Sequence, residues 1–96
     1  MKSIFFHFQG YRDLPEDFVQ KNESIWVTPS TDQFCDPRTS AQYTHWNIDE
    51  LELADDLGFD GLGINEHHSN GYGYCNSPNL IASILARRKS DAALVV

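Results

Sequence analysis

No apolar run in the chain approaches the ~18 residues that a membrane-spanning helix needs. Met1 to Phe8 carries one lysine and a short apolar run broken by His7. A secretory signal has a longer apolar region and a small-residue cleavage site, so this opening reads as a first strand instead. Basic residues are scarce: seven Lys and Arg stand against fourteen Asp and Glu, for a net charge of −7. That balance argues against nucleic acid or an anionic membrane as partner. Cysteine is limited to Cys35 and Cys75, too few for a disulfide framework. The expectation is two reduced thiols in a cytoplasmic protein. Neither Gly61-Leu62-Gly63 nor Gly71-Tyr72-Gly73 continues to a third glycine, so the dinucleotide fingerprint is missing. There is no internal repeat and no low-complexity segment.

What remains is an ordinary globular composition, 41% hydrophobic and 22% charged, in 96 residues. That is one small domain at most, able to bury only roughly 60–65% of its unfolded surface. Ile4 to Phe8 is β-branched and aromatic on both alternating faces, which predicts a strand buried on both sides. Residues 9–40 form a long connection with Pro15, Pro29 and Pro37, a helical turn after Pro15 and a brief extended piece at Ile25-Trp26-Val27. A connection of that length is usually functional or a lid. Trp26, Phe34 and Tyr43 are candidates for an apolar lining, or for plain packing.

A helix follows. Asn47 with Glu50 fits a capping box, with an earlier start near Ala41 as the alternative. Tyr43, Trp46, Leu51, Ala54 and Leu57 recur at helical spacing, and Asp49, Glu50, Glu52, Asp55 and Asp56 read as a solvated outer face. Gly58 ends the helix. Gly61 to Asn65 is a second strand, whose glycines imply tight packing against the helix or a close backbone approach. Residues 69–77 are turn-rich. Ser77-Pro78 then starts a helix in which Leu80, Ile81, Ile84 and Leu85 pack inward, closed by Arg87, Arg88 and Lys89. Ala92 to Val96 is a third, buried strand. Strands alternating with helices define an α/β fold with a parallel sheet.

In such a sheet the ends of the first two strands lie side by side, roughly 5 Å apart. Phe8 and Gln9 then border one crevice with Asn65, Glu66, His67 and His68. Alternation along an extended backbone sets Glu66 and His68 in one direction and His67 in the other. That separation argues against one shared metal site, and no His-x-His follows the first strand. A pocket imidazole is better suited to acid–base work, its tautomer held by a neighbouring carboxylate such as Glu66. Buried polar ties between strand and loop are the competing reading, and spacing alone leaves the two equal.

The run from Glu50 through Gly58-Phe59-Asp60 to Glu66-His67-His68, then Tyr72-Gly73 and Ser77-Pro78-Asn79, closely resembles the bacterial luciferase-like monooxygenase family. The resemblance spans nearly the whole chain. It implies a (β/α)8 TIM barrel of which residues 1–96 are an incomplete N-terminal β-α-β-α-β segment, with three parallel strands, two helices and the long loop 9–40. It implies reduced FMN supplied by a partner flavin reductase, molecular oxygen and a small organic substrate, in a cytoplasmic enzyme that is a homo-oligomer at full length. His67 would be the catalytic acid–base residue, with Glu66, His68 and Phe8 shaping the flavin site and no metal. Some relatives use a deazaflavin coenzyme for hydride transfer. Relatives usually carry Leu-Met-Pro after Tyr-Gly, where this chain has Tyr74-Cys75-Asn76. A TIM barrel needs about 250 residues, and the family's flavin-phosphate site lies on later strands, so the isolated segment is expected to be inactive. A non-catalytic remnant or a partner-associating module is the alternative.

Overall fold

The computed structural model describes residues 1–22, 33–69, 71, 73–88 and 91–96. The elements run β1 (Ile4–His7), α1 (Phe18–Lys21), α2 (Pro37–Asp56), β2 (Gly61–Ile64), α3 (Pro78–Arg87) and β3 (Ala93–Val95). The strands form a parallel sheet in the order β1-β2-β3. Ile4 pairs with Gly61 and His7 with Ile64, and Gly61 pairs in turn with Ala93. The expected α/β class and strand–helix alternation are present. No helix among the described residues is long and apolar enough to cross a membrane.

Both long helices cover the same face of the sheet. Ile48, Leu51 and Ala54 of α2 meet Leu62 and Ile64 of β2 and Ile81 and Leu85 of α3 in one buried cluster. Leu51 and Leu62 are fully buried and Leu85 is 2% exposed. Consecutive strand order with both crossovers on one side makes the sheet singly wound, unlike doubly wound sheets, which carry helices on both faces.

The other face is bare, which corrects the expectation of strands buried on both sides. Ile4 is 57% exposed and Phe6 51%, and Ala93 and Val95 of β3 are exposed as well. The glycines of β2 lie on this face, away from the helices. A Cβ on Gly63 would come within 2.6 Å of the Phe6 ring. The close approach there is to the neighbouring strand's side chain, not to α2.

Helix α2 begins ten residues before the Asn47 capping box. Asp36 is the N-cap: its carboxylate accepts from the Thr39 N–H at 2.8 Å, and Pro37 occupies N1. Residues 37–40 therefore belong to the helix, and α1 supplies the turn expected after Pro15. The extended piece at Ile25-Trp26-Val27, with Trp26 as a lining residue, lies outside the described residues, as does Lys89. Gly58, at φ 86°, closes α2 as expected.

Trp46 and Leu57 are exposed, as are Leu80 and Ile84 of α3, where inward packing was expected. The apolar stripe each helix buries is narrower than the sequence spacing implied, because only one sheet face lies beneath it. Ser77 precedes Pro78 at N1, but its side chain makes no capping hydrogen bond. The acids of α2 are not simply a solvated face either. Glu52 pairs with Arg88, and the Asp55 carboxylate accepts from the Ala92 N–H at 2.9 Å, tying α2 to the start of β3.

Candidate functional site

The carboxyl ends of β1 and β2 lie side by side. The Asn65 N–H reaches the His7 carbonyl at 3.4 Å, one residue beyond the paired strands. The chain then returns across both ends. The Tyr74 N–H donates to the Gln9 carbonyl at 3.3 Å, the His67 N–H donates to the Cys75 carbonyl at 2.9 Å, and the Tyr11 N–H donates to the Gly71 carbonyl at 3.0 Å. Gln9 turns the backbone out of β1 at φ 52°, a left-handed conformation uncommon for a non-glycine residue. Such a conformation persists only where its surroundings hold it, and here Gln9 is 1% exposed and hydrogen-bonded through its N–H and its carbonyl.

Asn65 meets His67 within this frame. Asn65 Nδ2 and His67 Nδ1 are 2.7 Å apart. With the amide as placed, Nδ2 donates and Nδ1 accepts, so the neutral imidazole carries its proton on Nε2. Gly73 lies against both groups: a Cβ there would stand 2.8 Å from Asn65 Nδ2 and 2.9 Å from His67 Nδ1. Only glycine lets the returning loop pass this close. Asn65 is 5% exposed, and its Oδ1 is buried with no hydrogen-bond partner among the described residues.

Glu66 and His68 share a direction and pair with each other at 2.8 Å, both exposed. The neighbour that holds the His67 ring is therefore the amide of Asn65, in place of the carboxylate expected from Glu66. Phe8 is 61% exposed, with its ring edge-on to Phe6 at 5.3 Å between centroids. The structure brings His67 together with Asn65 and Gly73, sets Glu66 and His68 as a separate surface pair, and leaves Phe8 on the bare sheet face. Among the described residues, no group of three His, Cys, Asp or Glu is placed to hold a metal ion.

A second polar network escaped the sequence reasoning. The Gln9 N–H donates to His7 Nδ1 at 3.0 Å, which puts the neutral His7 proton on Nε2, 2.7 Å from Glu50 Oε2. Arg12 donates to Glu50 Oε1 at 2.7 Å and to Asn47 Oδ1 at 2.9 Å, and Asn47 donates to the Tyr74 hydroxyl at 3.0 Å. These bonds tie the end of β1 to the middle of α2 and to the loop after β2. Burial pushes the Glu50 carboxyl upward, but hydrogen bonds from Arg12 and His7 outweigh it, and its pKa falls below the usual range. The Asp13 carboxylate, accepting from the Tyr43 hydroxyl, pushes that phenol up to about 12. Burial pushes the Cys35 and Cys75 thiols up, so both are poor nucleophiles at neutral pH. One sequence signal for this network existed. Asn47 interrupts the buried stripe of Tyr43, Leu51 and Ala54, and a polar residue on an apolar stripe needs partners.

The fold and site together define an α/β chain with a singly wound parallel sheet and an amide–imidazole pair at the carboxyl end of its central strand. No family model, curated protein or solved structure matches the chain.

Proposed function

We propose that the chain forms the first three strands of a luciferase-like (β/α)8 barrel and contributes one wall of a flavin-dependent monooxygenase site. The observation that carries this reading is the Asn65–His67 pair beyond the end of β2, with Gly73 packed against it. Catalytic groups of (β/α) enzymes gather at the carboxyl ends of strands. The singly wound strand order and the bare apolar face support the barrel, because that face is where the interior of a closed barrel would lie.

The fit to the cofactor is partial. The unpartnered, buried Asn65 Oδ1 offers an acceptor to the N–H edge of a planar ring, while Gly73 packs tightly against the pair and leaves no recess on that side. Of the described basic side chains, Lys2, Arg12, Lys21 and Arg88 are engaged by Asp60, Glu50, Asp17 and Glu52. The phosphate of FMN would be held by later strands. Reduced FMN, delivered by a flavin reductase, would supply the electrons for oxidation of a small organic substrate by molecular oxygen. In this scheme Asn65 orients the His67 ring, and His67 holds or passes a proton at Nε2. Phe8, Glu66 and His68 line the rim of the flavin site.

Anaerobic titration of the chain with reduced FMN, alone and together with the remaining barrel strands, tests the reading. Binding should appear in the complemented protein under anaerobic conditions, and turnover once oxygen and the organic substrate are admitted. His67→Ala should then lower turnover by about 10²–10⁴-fold; unchanged turnover in a folded barrel removes His67 from the mechanism. Binding of a reduced deazaflavin with hydride transfer and no oxygen consumption would assign the deazaflavin class instead. A second reading, a non-catalytic partner-associating module, is favoured by the open outer strands β1 and β3. Complementation that restores neither flavin binding nor turnover, with a stable complex still formed, would favour it.

A further inference from the structure

His7 ends β1 with its side chain only 10% exposed, and the flavin reading gives it no role. Both of its ring nitrogens are engaged. The Gln9 N–H donates to Nδ1 at 3.0 Å, and Nε2 lies 2.7 Å from Glu50 Oε2. Among the described elements, β1 packs against β2 and α2. β2 is Gly-Leu-Gly-Ile and brings no ionisable side chain. α2 brings Glu50, and Arg12, from the loop after β1, is held on the same carboxylate at 2.7 Å. The Phe5 ring stands edge-on to the imidazole at 6.0 Å between centroids. Among the described residues, Glu50 and Arg12 are thus the charged groups at His7.

An imidazole changes charge within the physiological range of pH. Burial pushes the Glu50 carboxyl up, but hydrogen bonds from Arg12 and His7 hold it below its usual range, so it stays a carboxylate throughout. It accepts from Nε2–H whether the ring is neutral or protonated. The change therefore falls on Nδ1, an acceptor in the neutral ring and a donor in the imidazolium. Once protonated, Nδ1 presents an N–H to the N–H of Gln9. Gln9 is 1% exposed, so solvent does not replace the lost acceptor, and a buried donor left unpaired is costly. Gln9 also sits at φ 52°, a conformation that persists only under constraint, and its other backbone tie is the 3.3 Å bond from the Tyr74 N–H to its carbonyl.

We propose that His7 is a proton-operated latch: a proton taken from solvent onto Nδ1 expels the Gln9 N–H and releases the turn after β1 together with the Tyr74 segment tied to it. That segment runs on to Cys75, whose carbonyl accepts the His67 N–H at 2.9 Å, so the latch acts on the loop that frames the Asn65–His67 pair. With His7 neutral the turn is closed, and with His7 protonated it opens while the Glu50 bond stays. The inference does not rest on flavin binding, because the change is read in the chain alone.

The test is an NMR titration of the full chain from about pH 8 to about pH 5. The ring nitrogen shifts of His7 give its charge and tautomer, and hydrogen exchange, corrected for the intrinsic effect of pH, gives the protection of single amides. Protection of the Gln9 and Tyr74 amides should fall about tenfold or more as His7 takes up its proton, while that of Leu62 in the core stays unchanged. His7→Asn, whose Oδ1 can accept from the Gln9 N–H without titrating, should keep both amides protected over the same range. Glu50→Gln, a check that does not depend on the folding of His7→Asn, should move the ring titration and the loss of protection by the same amount. A neutral ring with its proton on Nδ1 overturns the proposal. So does protection at Gln9 and Tyr74 that ignores the titration of His7, or a parallel loss at Leu62, which would report unfolding of the whole chain.

Discussion

Asn65 holds the imidazole of His67 through a 2.7 Å contact between Nδ2 and Nδ1, and Gly73 seals the pair from the side. The two residues are only two positions apart, yet their meeting depends on the loop that returns over both strand ends.

Replacing Asn65 by Asp exchanges a donor for an acceptor-only carboxylate at this contact. The His67 proton should move from Nε2 to Nδ1, read from the imidazole nitrogen shifts by NMR. Asn65→Leu should leave a mixture of tautomers. Identical ring spectra in all three proteins would show that Asn65 does not control the ring.

Gly73→Ala puts a methyl within 2.9 Å of both Asn65 Nδ2 and His67 Nδ1. The loop must shift or the pair must break, at a cost of about 1–3 kcal/mol in denaturant unfolding. Gly63→Ala is a useful contrast. Its methyl meets the ring of Phe6, an exposed side chain that can swing away, so the loss should be smaller.

Leu62 is fully buried at the centre of the main cluster. Leu62→Ala should destabilise the chain by about 2–5 kcal/mol. Because a domain of this size has little stability in reserve, urea titration should find the variant substantially unfolded at room temperature.

The Glu50 pKa is lowered in the folded state, so its contribution to stability is present above the ordinary carboxylate value of 4.5 and is lost as pH falls through the lower folded value. Glu50→Gln should reduce stability at neutral pH and flatten the acid side of the stability profile. Tyr43 behaves with the opposite sign. Its pKa is raised from 10.0 to about 12, so its contribution is complete below pH 10 and disappears as pH rises towards 12. Tyr43→Phe should remove that alkaline decline, measured by chemical denaturation across the range.

Much of the local structure was legible in the residues. The period of α2, the stop at Gly58, Pro78 at N1 of α3 and the apolar run of the third strand are signals written within a few positions of where they act. So was the opposed direction of His67 relative to Glu66 and His68, which follows from backbone alternation alone. The start of α2 was legible too, in Asp36-Pro37, but the Asn47-Glu50 pair imitated a cap. Asn47 is a mid-helix residue whose polar groups serve Arg12 and Tyr74.

The sequence by itself determined the alternation of elements and the stretch on which polar chemistry gathers, because propensity, periodicity and capping are short-range properties. Tertiary structure decided the partners. Arg12 and Glu50 stand 38 positions apart, and His7 and Glu50 stand 43 apart. No local pattern announces that β1 and α2 will bring them together. It also decided that Glu66 faces His68 while an amide holds His67, and that one sheet face is covered and the other bare. Those outcomes depend on which side the crossover helices take and where the returning loop crosses the strand ends, and both are set by packing of the whole chain.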